Sequence, residues 1–326
     1  MRREQFALPL IRLLVKRPRL GNAVFRFDRW GNIFGPDRFV DPYPIYERMR
    51  AAGPVSFSPL YQQWAILGYD EARAVLTSNS FGVESQLEIF LSTRPYSKFS
   101  DHTKTLIRNV LLFTDPPKHT RLRSLVNRAF TSRQMDRLEP RVDKLAHELI
   151  ADMADDACPD VVANFAAPLP INVISDLLGV PEERWEWAAQ MSGFIRDVLD
   201  PLATIDPVVV DAAFDEITDY YSGLANQRLA EPKNDLITGL VHAEEQGDRL
   251  SRDELVSFVT LLMFAGRETT SGTIGNSIVA LANHPDQRAL VRANPDLWPS
   301  AVEELPLRHR PAHRSAHCAG RHPDRK

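Results

Sequence analysis

Cysteine is nearly missing from this chain: two in 326 residues, Cys158 and Cys318. So few thiols exclude a disulfide-built scaffold, and two unpaired-looking cysteines fit a reducing, cytoplasmic setting. A long apolar run is missing as well. The stretch from Phe6 to Val15 is broken by Pro9 and Arg12, is far too short to span a bilayer, and lacks a small-residue cleavage site. No transmembrane segment and no signal peptide are therefore expected, and residues 1–33 read as an N-terminal arm. There is no surplus of positive charge. Lys and Arg total 39 against 43 Asp and Glu, for a net charge of −4, which argues against a nucleic-acid partner. Internal repeats and low-complexity linkers are also absent. What remains is a chain with 44% hydrophobic residues, enough for a substantial core in one large domain or two ordinary ones.

The patterns predict a mainly α fold with a small β-sheet. Helices are expected over 43–52, 69–77, 117–129, 135–154, 168–178, 181–199, 208–229, 236–245, 253–282 and 285–293. Two short strands, 55–57 and 63–67, suit a hairpin around Ser58 and Pro59. Residues 81–109 alternate polar and aromatic side chains and show no clear period. The longest helix has a clear start, since Ser251-Arg-Asp-Glu254 is a capping box just before Leu255 and Val256.

Two stretches carry chemistry. The first is Leu261-Leu-Met-Phe-Ala-Gly-Arg-Glu-Thr-Thr270, which sets an acid beside an alcohol in an apolar helix. A buried carboxylate is costly without a partner. Thr hydroxyls bonding back one turn and Gly266 both loosen the helical ladder at that point. The same residues also suit a plain helix with a tolerated glycine and satisfied threonines. The second stretch is Phe113-Thr-Asp-Pro-Pro-Lys-His-Thr-Arg-Leu-Arg123. Here Thr114 or Asp115 is placed to cap a helix and Pro116 suits its first turn. His119 and Arg123 then fall one turn apart on one face, a pair suited to carboxylates. An ordinary solvated basic face is the alternative.

Together these stretches resemble the cytochrome P450 family, the haem-thiolate monooxygenases, and in particular its soluble bacterial branch. Further segments read like the family in the right order: 41–50, 64–70, Leu177-Leu-Gly-Val-Pro-Glu-Glu183 and Ala282-Asn-His-Pro-Asp-Gln287. The resemblance runs from about residue 34 to residue 305. It implies an oxidoreductase that uses O2 and two electrons to hydroxylate a small apolar molecule, with haem b as cofactor and a ferredoxin-type redox partner. By this resemblance His119 and Arg123 hold the haem propionates, and Ala265 and Gly266 allow close approach over the ring. Glu268 and Thr269 deliver protons. Phe90, Phe99 and Phe264 line the substrate pocket, and Arg121 and Lys118 face an acidic ferredoxin.

One part of the family pattern is missing. The haem iron is held in the family by a Cys in a Phe-Gly-x-Gly-x-His-x-Cys-x-Gly loop, and no such string exists here. Cys158 lies in an acidic loop and reads as a bystander. Cys318 lacks the surrounding Phe, the loop glycines and the His-x-Cys spacing. No metal ligand is therefore assigned, and haem is not expected to be retained. The pattern breaks after Leu305. Glu304 should be followed by an Arg one turn later, but Leu307 stands there and Arg308 comes one residue late. The segment 306–326 holds four of the nine histidines and five arginines and has neither helical nor strand period, so it reads as disordered. Out-of-frame translation is the favoured reading of it; a basic tail and an incidental metal cluster through His309, His313 and His317 are the others. The sequence therefore predicts a cytochrome P450 fold over 34–305 lacking its C-terminal haem-ligand portion, an inactive product, and exposure of Leu261, Leu262 or Phe264. The alternative is a haem-free helical protein that binds small molecules.

Overall fold

The structure, a computed structural model, describes residues 10–305 apart from 12, 16, 26, 29, 34–41, 131, 155, 201–204 and 246. The proposed tail 306–326, with Cys318 and the four tail histidines, lies outside the described residues, as does the boundary at 34.

Helices dominate, as expected. In chain order they are α1 (Pro18–Phe25), α2 (Tyr43–Arg50), α3 (Tyr69–Leu76), α4 (Glu84–Ser92), α5 (Asp101–Asn109), α6 (Lys118–Ala129), α7 (Ser132–Met153) and α8 (Pro168–Leu177). They continue with α9 (Trp185–Leu199), α10 (Pro207–Ala230), α11 (Leu236–His242), α12 (Arg252–Asn283), α13 (Pro285–Ala293) and α14 (Trp298–Glu304). Strands β1 (Val55–Ser58) and β2 (Gln63–Ile66) form the expected antiparallel hairpin, with Val55 opposite Ile66 and Ser58 opposite Gln63. A second hairpin, β3 (Glu244–Glu245) with β4 (Asp248–Arg249), was not expected. It cuts short the helix expected over 236–245, because Gly247 adopts φ +84° and turns the chain back.

The core is built on α12, which packs against α5, α8, α9 and α10. Its first half contributes Leu255, Val256, Phe258, Val259 and Met263, all buried. Facing them are Phe214, Ile217 and Tyr221 of α10 and Ile195 and Val198 of α9. The first half of α12 is buried on all sides, every residue from Leu255 to Thr260, as befits a helix at the centre of a core. A smaller cluster gathers Ile11, Leu14, Phe25 and Trp30 with Ile45, Met49 and Tyr61. Trp30 donates its indole N–H to Ser56 Oγ at 2.9 Å, which ties that cluster to the first hairpin.

Cys158 is exposed, on the loop between α7 and α8.

Candidate functional site

Helix α12 starts where the capping box predicts. Ser251 Oγ accepts the Glu254 N–H at 3.2 Å, and Glu254 Oε2 accepts the Ser251 N–H at 2.8 Å. Glu254 has a second role: its Oε1 takes Arg121 of α6, whose other guanidinium nitrogen reaches Asp248 Oδ2 at 3.1 Å. Arg121 is thus held in ion pairs that raise its already high pKa, and it couples α6 to the start of α12.

The start of α6 differs from the expectation. Neither Thr114 nor Asp115 caps it by side chain; the residue before its first turn is Pro117. Asp115 instead serves α4, its carboxylate accepting the N–H groups of Val83 at 3.0 Å and Glu84 at 3.1 Å. Glu84 Oε1 accepts the Asp115 N–H at 3.0 Å in return. The Asp115 backbone carbonyl still accepts the His119 N–H at 2.9 Å. Lys118 is likewise occupied, donating to Arg108 O and Asn109 Oδ1. His119 and Arg123 do lie one turn apart on α6, His119 half-buried and Arg123 exposed. Among the described residues neither side chain makes a hydrogen bond or ion pair. They are two uncommitted donors of this helix.

On α12, Glu268 and Thr269 are adjacent in sequence but face different partners. Thr269 Oγ1 donates to Ala265 O one turn back at 2.7 Å. Glu268 Oε1 lies 3.9 Å from Arg196 Nη1 of α9 and 3.8 Å from Arg267 Nη1. Arg267 in turn donates to Ala189 O at 3.1 Å, and Ser192 Oγ donates to Met263 O at 3.1 Å. The polar stretch of α12 is therefore stitched to α9 on one side. On another, Gly266 gives room for Ile174 of α8: an added Cβ would stand 2.4 Å from Ile174 Cδ1. The close approach at Gly266 is a helix–helix contact, while Ala265 supplies the carbonyl that takes Thr269.

Two cavities flank Phe113. One is a small apolar space of about 30 Å³ lined by Phe90, Phe113, Ile195, Phe214, Leu261 and Phe264, among others. Two of the three expected pocket residues, Phe90 and Phe264, meet here. Phe99 does not line it; it is 3% exposed and packs edge-on against Tyr96. The other is an open cleft of about 740 Å³ lined by Glu84, Glu88, Arg108, Lys118 and Phe113, among others. Arg108 grips Glu88 with two bonds, at 2.6 and 2.9 Å, and holds its carboxyl below the usual range chiefly through them. Sequence reading missed Glu84, Glu88 and Arg108. The i, i+4 spacing of Glu84 and Glu88 on a helix carrying Leu87 and Leu91 was the signal available.

Comparison with known proteins places these features in context. The family model described as "Cytochrome P450" matches residues 162–296. The chain is 38% identical over 278 residues to cytochrome P450 monooxygenase PikC of Streptomyces venezuelae, a match covering 83% of this chain and 63% of PikC. It is 33% identical over 284 residues to the polyketide biosynthesis cytochrome P450 PksS of Bacillus subtilis, covering 83% of this chain and 67% of PksS. Among solved structures, CalO2 superposes with a TM-score of 0.74 at 30% identity, over 83% of this chain and 67% of that one. The chain spans two thirds or less of the length of most of the relatives it matches, 63% of PikC among them.

Proposed function

The chain belongs to the cytochrome P450 family, and from that premise we propose that residues 34–305 carry the oxygen-facing and substrate-facing part of a monooxygenase. Its substrate class is a small apolar molecule, its cofactor haem b, and its electron donor a ferredoxin-type protein in the cytoplasm. Among the described residues no helix is long and apolar enough to cross a membrane. Haem bound through a cysteine thiolate supplies the oxygen-activating chemistry in this family.

The residues present fit that group on one side only. His119 and Arg123 offer uncommitted donors one turn apart, suited to a pair of carboxylates. The single observation that carries the reading is that Arg121 fastens this same helix to α12, the helix bearing Glu268 and Thr269. Glu268 and Thr269 are assigned the movement of protons, Glu268 by exchanging Arg196 and Arg267 for water and Thr269 by releasing the Ala265 carbonyl. Phe90 and Phe264 shape the apolar side of the site. On the iron side the fit fails. Cys158 is exposed on the loop between α7 and α8, in a stretch with none of the Phe and Gly positions of the family's ligand loop. No cluster of three or more His, Cys, Asp or Glu side chains suited to a metal ion occurs among the described residues. No catalytic turnover is therefore assigned to residues 1–326 acting alone. The haem-free binding reading gains nothing from an apolar space of about 30 Å³, which is room for about one water molecule.

The test is to express residues 1–326 with a haem precursor and record the carbon monoxide difference spectrum of the reduced protein. The expected result is no thiolate-type Soret band, with weak haem binding that weakens further in His119→Leu and Arg123→Leu. A thiolate-type band in the unaltered chain would overturn the reading.

A further inference from the structure

Where α9 faces α10, three aromatic rings meet. The ring centroid of Trp187 lies 4.7 Å from that of Tyr220 and 6.1 Å from that of Tyr221, and the two tyrosines meet edge-on at 5.1 Å. Neighbours on one helix point about 100° apart, so one tyrosine turns outward and the other inward. Trp187 and Tyr220 are half-buried, while Tyr221 is fully buried. The Tyr221 hydroxyl donates to Met263 Sδ of α12 at 2.9 Å. Leu261, Leu262 and Phe264, expected to be exposed, are instead half-buried against the same core, because side chains of α9 and α10 close over this stretch.

The aromatic side chains differ in what can take their proton. An indole or phenol that loses an electron becomes a strong acid, and a neutral radical forms only where a base is at hand. Trp187 has one: its Nε1–H donates to the Glu216 carboxylate at 2.6 Å. The indoles of Trp30 and Trp185 donate instead to a hydroxyl and a backbone carbonyl, which are far weaker bases. The Tyr220 hydroxyl reaches solvent. The Arg184 guanidinium, 5.7 Å from the centre of its ring, disfavours a retained positive charge and so favours release of the phenolic proton. Tyr221 has no such outlet. A thioether is a weak acceptor, and burial pushes the Tyr221 pKa up.

We propose that Trp187 and Tyr220 form a radical sink, taking up one-electron oxidants of the organic peroxyl class at the surface and sparing Tyr221 and Met263. In the first step Trp187 gives an electron to the peroxyl radical, which takes a proton from solvent and leaves as a hydroperoxide. The indole proton passes to Glu216. In the second step an electron moves from Tyr220 to Trp187, Glu216 returns the proton to the indole, and the phenolic proton goes to water. A soluble thiol then gives a hydrogen atom to the Tyr220 radical and resets the pair. Sparing Met263 matters because its sulfoxide would place a polar group in the core. The sink needs no cofactor and stands apart from the proposed haem chemistry.

The experiment is pulse radiolysis of residues 1–326 with the azidyl radical, a one-electron oxidant selective for indoles, followed by absorption. Trp64 and Trp298, 68% and 43% exposed, are first replaced by Phe to remove competing surface indoles. The expected result is an indolyl band that decays as a phenoxyl band grows, at a rate independent of protein concentration. Tyr220→Phe should cut the phenoxyl yield at least fivefold, and Tyr221→Phe should leave it unchanged. In Glu216→Gln the indolyl radical should first appear as its spectrally distinct cation and persist in that form at least tenfold longer. A phenoxyl yield that survives Tyr220→Phe, or is lost in Tyr221→Phe, would overturn the proposal, as would a rate proportional to protein concentration. A second measurement needs no substitution: the unaltered chain is exposed to peroxyl radicals with a spin trap, and adducts are located by mass spectrometry. Adducts are expected on Trp187 and Tyr220, and their absence from Tyr220 would overturn the proposal.

Discussion

The most consequential single contact is the buried ion pair between Arg228 of α10 and Asp235 before α11, with each side chain 6% exposed. Asp235 Oδ1 also accepts the Thr238 N–H and hydroxyl, both at 2.8 Å, so it caps α11 while pairing Arg228. Arg228 donates as well to Gly179 O at 3.2 Å. Removing one partner of such a pair strands the other charge, at a cost of about 3–5 kcal/mol. Asp235→Ala is expected to lower the urea unfolding midpoint accordingly. Gly179→Ala should act at the same spot: Gly179 adopts φ +73°, and an added Cβ would stand 2.3 Å from Asp235 Oδ2. The conformational part alone costs about 1–2 kcal/mol, and an unchanged midpoint in either variant would contradict this account. The exposed pair of Glu88 and Arg108 is a lesser matter. Arg108 depresses the Glu88 pKa, so the stabilisation is complete above the unfolded carboxyl value of about 4.3 and fades as pH falls through the lower folded value. With both groups largely in solvent, it amounts to under about 1 kcal/mol. Glu88→Gln should slightly lower stability at neutral pH and flatten its decline in acid, read from unfolding midpoints between about pH 2 and 6.

At the scale of the element, starts and stops were set by local chemistry where the sequence was readable. The reciprocal bonds of Ser251 and Glu254 make α12 begin at Arg252, and Ser251→Ala is expected to cost about 0.5–2 kcal/mol. Glu254 also anchors Arg121, so circular dichroism melts should show a larger loss for Glu254→Ala than for Ser251→Ala. The helices α6, α8, α10 and α12 and the first hairpin were legible because apolar content, helix starts and turn residues agree over long windows. Helices α4 and α5 were not, because distant residues complete them. Asp115 supplies the acceptors at the start of α4, and Asp211 of α10 accepts the Ser100 N–H and the Thr103 hydroxyl at the start of α5. The site divides in the same way. The spacing of His119 with Arg123, and the placing of Glu268 and Thr269 on one long helix, follow from helical period. The approach of Arg196 to Glu268 does not, since it joins helices more than seventy residues apart. Nor could spacing show that Phe99 packs into the core while Phe90 and Phe264 share a cavity.

On the scale of the whole molecule, the interior is concentrated on one side. Helices α5, α8, α9 and α10 surround the first half of α12, and a separate apolar cluster ties residues 11–30 to the first hairpin. The other end of α12 carries α13 and α14 with little around them. Because α12 is one unbroken helix, a protease meets two different substrates along a single rod. Arg267, with a side chain 17% exposed and bonded to α9, is shielded by the core. Arg288 and Arg292 stand exposed on α13, where Val291 is the one buried residue and opening one or two turns disturbs little packing. Within the described residues, brief trypsin treatment should therefore cut first at these two arginines and leave a resistant fragment that keeps the first half of α12. The covered half of the helix would thus outlast the uncovered half by a margin visible on a gel.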